Sequence, residues 1–201
     1  MKKLLFIILI IVLLLPYAVF GEGAATVDWV VEKGYFGVGG LNLDTKINRA
    51  SFATVTVRLM GLESEALNYR GRPAFKDIED FQGGWASAYI SVAKENGLMS
   101  GKTLDKFDPE GNITYMEMLA VFMRILGYED GVDFVRYPED YYKKALEIGL
   151  GDMYVPLDEE VNRGTVLDTM VKALNTPLKG QDHTLFHILN SKLDKENSSK
   201  S

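Results

Sequence analysis

The sequence predicts a mainly all-α fold built from three helix–loop–helix units. Apolar residues recur at helical spacing in six segments. A glycine follows the first helix of each unit, at Gly34, Gly97 and Gly149. A polar cap, Asn48, Thr114 or Asn162, opens each second helix. These features recur in the same order, which marks an internal repeat rather than six independent helices. A lone helix pair buries too little apolar surface to be stable, so three pairs must share a core. The glycine-rich loops leave room for short extended pieces.

The chain opens with a segment of a different kind. Met1-Lys2-Lys3 is a short positive stretch, Leu4 to Phe20 is apolar around Pro16 and Tyr17, and small residues come next at Gly21, Gly23, Ala24 and Ala25. That order reads as a secretory signal peptide over residues 1–21, processed before Glu22. The apolar stretch falls short of the roughly 20 residues of a spanning helix. The expected setting is therefore secreted, with no stable membrane insertion after cleavage. There is no cysteine, so neither a lipid-modified cysteine nor a disulfide can contribute. The chain holds 22 basic and 28 acidic residues; the signal segment holds two of the former and none of the latter, leaving a net charge of −8. A chain of that sign is a poor nucleic-acid binder, and an anionic ligand would have to be drawn by local arginines.

The units come in order. In the first, a helix over about Ala24 to Lys33 stops at Gly34, and Ile47-Asn48-Arg49 opens the second helix. In the second, Phe75-Lys76-Asp77-Ile78 and Gly83-Gly84-Trp85 lead into a helix with apolar positions Ala86, Tyr89, Ile90, Val92 and Ala93. After the loop Leu98 to Asn112, Thr114-x-x-Glu117 has the form of a capping box. In the third, Tyr137 falls where Trp85 does, Tyr141 with Tyr89, Gly149 with Gly97, and Val161-Asn162-Arg163 with Ile113-Thr114-Tyr115. Arg58, Arg124 and Lys172 share one position near the ends of the second helices, where the helix dipole favours a cation, and read as structural. The predicted boundaries are 22–62, 63–130 and 131–178, then a short amphipathic helix and a disordered polar tail over 179–201.

Phe75-Lys76-Asp77-Ile78, Gly84-Trp85-Ala86, Tyr89-Ile90, Ala93, Gly97-Leu98, Phe107-Asp108-Pro109, Ile113-Thr114 and Leu126-Gly127 together resemble an S-layer homology domain. The resemblance covers 74–128 and, chiefly through the second helices, 24–62 and 134–176. It implies a pseudo-threefold, three-pronged array around a central helix bundle. It also implies non-covalent attachment to the cell wall or cell surface of a Gram-positive-type bacterium, through a secondary cell-wall polysaccharide carrying pyruvyl ketals and bound between neighbouring units. The family signature at the second helix, Thr-Arg-Ala-Glu or similar, is Asn48-Arg49-Ala50-Ser51, Thr114-Tyr115-Met116-Glu117 and Asn162-Arg163-Gly164-Thr165 in this chain.

The candidate glycan-binding residues are Arg49, Asp77, Trp85, Ser100, Gly101 and Arg163. An arginine fork can hold a ketal carboxylate in a bidentate contact, and a helix N-terminus supplies N–H groups and a favourable dipole. Trp85 could cover a sugar face, and glycine permits close backbone approach. The expected groove joins Arg49 of the first unit to Asp77, Trp85, Ser100 and Gly101 of the second. Lys106 to Glu117 has the outline of a calcium loop, but a lysine occupies its first position, and His183 and His187 lack a third ligand. No metal, cofactor or catalytic residue is expected, and no nucleophile elbow, P-loop or dinucleotide fingerprint occurs. The alternative reading is an envelope structural or protein-interaction module whose repeats no longer bind glycan.

Overall fold

The computed structural model describes residues 23–37 and 41–198; the expected signal segment lies outside them. Eight α-helices occur among the described residues: α1 (Val27–Glu32), α2 (Arg49–Leu59), α3 (Glu63–Leu67), α4 (Ser87–Glu95), α5 (Tyr115–Ile125), α6 (Glu139–Glu147), α7 (Arg163–Leu174) and α8 (Leu185–Ser198). Two short 3-10 turns, Lys76–Ile78 and Phe81–Gly84, precede α4. No strand forms among the described residues; their β pairing is limited to isolated bridges. The fold is all-α, as the periodicity predicts. The short helix α3 has no counterpart in the expected pattern, and α8 runs on through residues expected to be a disordered tail.

In chain order the helices form three successive pairs, α1 then α2, α4 then α5, and α6 then α7, and they pack between pairs rather than within them. Each first helix stops at a glycine with positive φ: Gly34 (68°), Gly97 (68°) and Gly149 (75°). Contacts between pairs run in a cycle. Helix α2 packs on α4, α5 on α6, and α7 on α1. The core is continuous across them, with Phe52, Phe122, Met123, Met170 and Leu174 fully buried and Phe52 edge-on to Phe122.

The cycle is pinned at the residue before each cap. Ile47 N–H donates to Val161 C=O (3.3 Å), Val161 N–H to Ile113 C=O (3.0 Å), and Ile113 N–H to Ile47 C=O (3.0 Å). These three hydrogen bonds close a ring, and its side chains are 0–2% exposed. A second set of bonds runs the opposite way round. The first N–H of α2, α5 and α7 (Arg49, Tyr115, Arg163) donates to Gly111, Glu159 and Thr45 C=O at 2.8–2.9 Å. The next N–H of each (Ala50, Met116, Gly164) donates to Pro109, Leu157 and Leu43 C=O. The third is taken by the cap, where the Asn48, Thr114 and Asn162 side chains accept from Ser51, Glu117 and Thr165. Three of the four orphan donors of each second helix are thus satisfied, two of them by the neighbouring pair's loop. The Thr114–Glu117 capping box predicted from sequence is complete.

Chain connectivity links the first pair to the second and the second to the third, whereas the seam between third and first is closed without it. Asn175 accepts from Ala25 N–H and donates to Ala25 C=O, both at 2.9 Å. Trp29 lies edge-on to Phe186 of α8, with ring centroids 4.9 Å apart.

Ile113→Ala empties a fully buried site at the ring. We expect a loss of about 2–5 kcal/mol of unfolding free energy, read as a lower denaturant midpoint with an unchanged transition slope.

Candidate functional site

The first residue of each second helix reaches into the neighbouring pair. Arg49 is 3% exposed. Its Nε donates to Phe107 C=O (2.8 Å), Nη1 to Glu117 Oε1 (2.9 Å) and Nη2 to Ser100 C=O (2.8 Å), with the guanidinium 4.6 Å from the Phe107 ring centroid. At the same place in the second pair, the Tyr115 hydroxyl accepts from Asp152 N–H (2.7 Å). In the third, Arg163 Nη2 donates to Phe36 C=O (3.0 Å), and its buried Nε has no partner among the described residues. All three side chains therefore bridge to the loop after the next first helix, and tyrosine replaces arginine by reversing the direction of the bond.

Around Arg49 lies a cleft of about 330 Å³, where all three pairs meet. The first pair contributes Arg49; the second contributes Ser100, Gly101, Glu117 and Arg124; the link between second and third contributes Asp130, and the third contributes Tyr137 and Tyr141. Arg49, Ser100 and Gly101 thus share one cleft, as the sequence suggests. Asp77 and Trp85 do not line it. The Asp77 carboxylate instead accepts from Phe107 and Asp108 N–H at 2.8–3.1 Å and holds the loop that receives Arg49. Trp85 stands one turn before Tyr89, at the end of the 3-10 turn that leads into α4, the helix that packs against α2. The aromatic facing Arg49 is Tyr137, 57% exposed, one turn before Tyr141. Arg163 lies in the third pair against Phe36.

Two other expectations change. The N–H groups at the second-helix N-termini are engaged by loops and caps, so they are not available for a carboxylate. Gly101 is required by packing rather than by ligand approach, because a Cβ there would collide with the Phe75 ring and with the carbonyls of Thr103 and Lys106.

The cleft is charged on both sides. Glu117 also pairs with Lys102 and accepts Thr114 N–H through its other oxygen. Burial acts to raise the Glu117 carboxyl, but Lys102, the Thr114 N–H and Arg49 together hold it below the ordinary glutamate value. Burial likewise opposes the ionised form of Asp130, and Arg124 (2.9 Å) and the Tyr141 hydroxyl outweigh it. Tyr141 is pushed up to about 12 by burial and then by Asp130. The Arg124–Asp130–Tyr141 triad has a twin in Arg58–Glu63–Tyr89, where Glu63 accepts from Arg58 (2.8 Å) and Tyr89 (3.0 Å). The arginines at the shared second-helix position thus orient the next first helix. The sequence register matches Tyr137 to Trp85 and Arg124 to Arg58; it does not reveal that the Arg49 cleft draws on three successive pairs.

Arg49→Met removes one partner of a largely buried ion pair, and the expected cost is about 3–5 kcal/mol at neutral pH, measured by chemical denaturation. Because the folded-state pKa of Glu117 is depressed, its contribution is present above the ordinary value of 4.5 and is lost as pH falls through the folded value. The stability gap between wild type and Glu117→Gln is therefore expected to narrow on acidification below pH 4.5. A gap that stays constant from pH 7 to pH 3 contradicts the assigned role.

Residues 74–119 match the family model of the S-layer homology domain. The chain is similar to the middle cell wall protein of Brevibacillus brevis, with 29% identity over 146 residues, covering 73% of this chain and 14% of that protein. It is similar to a cell surface protein of Thermoanaerobacter kivui, with 31% identity over 146 residues, covering 71% of this chain and 18% of the relative. A cellulosome-anchoring protein of Acetivibrio thermocellus is 30% identical over 126 residues, covering 59% of this chain and 28% of the relative. The chain thus spans less than a third of the length of each of these relatives. With the fold all-helical and the match centred on the α4–α5 pair, this is an S-layer homology domain protein, the domain lying at residues 74–119.

Proposed function

We propose that this chain attaches non-covalently to the bacterial cell wall by holding a secondary wall polysaccharide whose pyruvyl ketals carry carboxylates. The domain match and the wall, surface and anchoring proteins it resembles support attachment to the cell envelope in general. We further read the three helix pairs as three repeats of one domain type, on the matching registers of their caps, loops and inter-pair hydrogen bonds.

The observation that carries the ligand chemistry is the composition of the Arg49 cleft. Arg49, Arg124 and Lys102 face two carboxylates, Glu117 and Asp130, around an exposed Tyr137 ring. A surplus cation attracts an acid, and the ring face suits the apolar face of a sugar. Most of Arg49's donors are committed to protein, so in this reading it sets the cleft's shape while Tyr137 and Arg124 meet the ligand.

A second reading, an envelope interaction module without glycan binding, is favoured by the saturation of Arg49 and by the tyrosine at position 115. Sedimentation with wall sacculi separates the two. Binding is expected with intact sacculi and is expected to be lost when the secondary polysaccharide is stripped or its ketals are removed by mild acid. Tyr137→Ala is expected to weaken it about tenfold, ~1.4 kcal/mol, with unchanged thermal stability. Equal sedimentation on stripped and intact walls rules out the glycan reading and supports the second.

A further inference from the structure

Away from the Arg49 cleft, a larger cleft of about 460 Å³ opens between the C-terminal ends of α1 and α2 and the flank of α8. Its size falls within the range of small-molecule sites. Leu59, Leu62 and Leu189 give it an apolar side; Lys33, Tyr35 and Lys192 give it a polar one.

We propose that this cleft binds a small organic anion, an acid group carried on an apolar ring, with Lys33 and Lys192 pairing the acid and the Tyr35 hydroxyl donating to it.

Three observations support this. First, Tyr35 is 8% exposed, and its ring lies 5.9 Å from that of Trp29, yet its hydroxyl has no hydrogen-bond partner among the described residues. Among the described residues the one buried polar side-chain atom without a partner is Arg163 Nε, so the Tyr35 hydroxyl reaches the open cleft and can donate to an occupant. Burial pushes its pKa up to about 12, so it remains a donor at neutral pH. Second, the carboxylate lining the cleft, Glu63, is already bound to Arg58 and Tyr89. Lys33 and Lys192 make no ion pair among the described residues; Lys33 contacts only the Trp29 ring, at 5.5 Å. Two exposed ammonium groups therefore border one cavity of a chain rich in acid.

Third, the corresponding cleft of the second pair is built differently. There, Asn96, Leu98 and Glu129 stand where Lys33, Tyr35 and Glu63 stand here; Asp130 adds a carboxylate, and no helix takes the place of α8 in its lining. The cations and the phenol are therefore not demanded by the helix-pair geometry. Helix α8 supplies Leu189 and Lys192 from outside the repeated pairs.

The test is calorimetric titration of the full chain with benzoate, glucuronate, glucose 1-phosphate and inorganic phosphate, with amide NMR to locate the site. A dissociation constant at or below about 1 mM is expected for at least one ring-bearing acid, with shifts confined to residues 33–35, 59–63 and 189–192. The K33Q/K192Q double variant is expected to weaken binding at least tenfold, and Tyr35→Phe at least threefold; both substitutions remove only cleft-facing polar groups. Exposed Lys76→Gln is expected to bind as wild type. No heat or shifts up to 10 mM, unchanged affinity in K33Q/K192Q, or equal binding of glucose and glucuronate each overturns the proposal. Tighter binding of inorganic phosphate than of any ring-bearing acid overturns the apolar half of it.

Discussion

Everything in this molecule is referred to a ring of three backbone hydrogen bonds, in which Ile47, Ile113 and Val161 each donate to one neighbour and accept from the other. Individually such bonds contribute about 0.5–1.5 kcal/mol net. Their importance lies in register. The ring is buried, so a slip by one residue would leave buried amides unpaired. With the three residues fixed, the cap after each one is fixed as well, and so is the direction in which each second helix leaves the centre. The loops are placed by the reverse set of bonds, from the first two amides of each helix to the neighbouring pair. The Arg49 cleft exists because these two opposed cycles bring parts of three pairs to one place.

The sequence carries the helices well because their signals are local. Apolar spacing, the Asn48, Thr114 and Asn162 caps and the glycine stops at 34, 97 and 149 each act within a few residues, and each is found in its expected place. Helix α3 is not legible, because Glu63–Leu67 is too short to show a period. The site is legible only in part. Arg49, Ser100 and Gly101 do meet, but the aromatics Tyr137 and Tyr141 come from the third pair and Asp130 from the link that precedes it. No local pattern tells which of two aligned aromatics, Trp85 or Tyr137, faces a given arginine. That choice is made by the handedness of the cycle. Without that handedness Asp77 resembles a ligand residue, whereas its two oxygens hold the amides of Phe107 and Asp108.

The charged residues divide by what they do for the fold. Arg58 and Arg124 each gather an acid and a tyrosine from the next pair, and so set the angle of the helix that comes after them. Arg49 ties Glu117, and with it the capping box of α5, to the first pair. A guanidinium suits such posts because it is charged at any relevant pH and offers five donors in a plane. An acidic chain without disulfides can in this way hold its units together with a few buried cations. Lys33 and Lys192, which border the second cleft, take no part in these junctions.

Position 115 makes clear that the first side chain of each second helix belongs energetically to the next pair rather than to its own. Arg49 and Arg163 donate to a carbonyl across the junction, while Tyr115 accepts an amide there. Each junction is a matched lock between one pair's helix start and its neighbour's loop. The piece that can be transplanted between proteins of this architecture is therefore the junction, half from each of two consecutive helix pairs. A chimera cut between pairs would carry along one half of two different locks, whereas one cut within a pair, just before its second helix, would keep each lock whole.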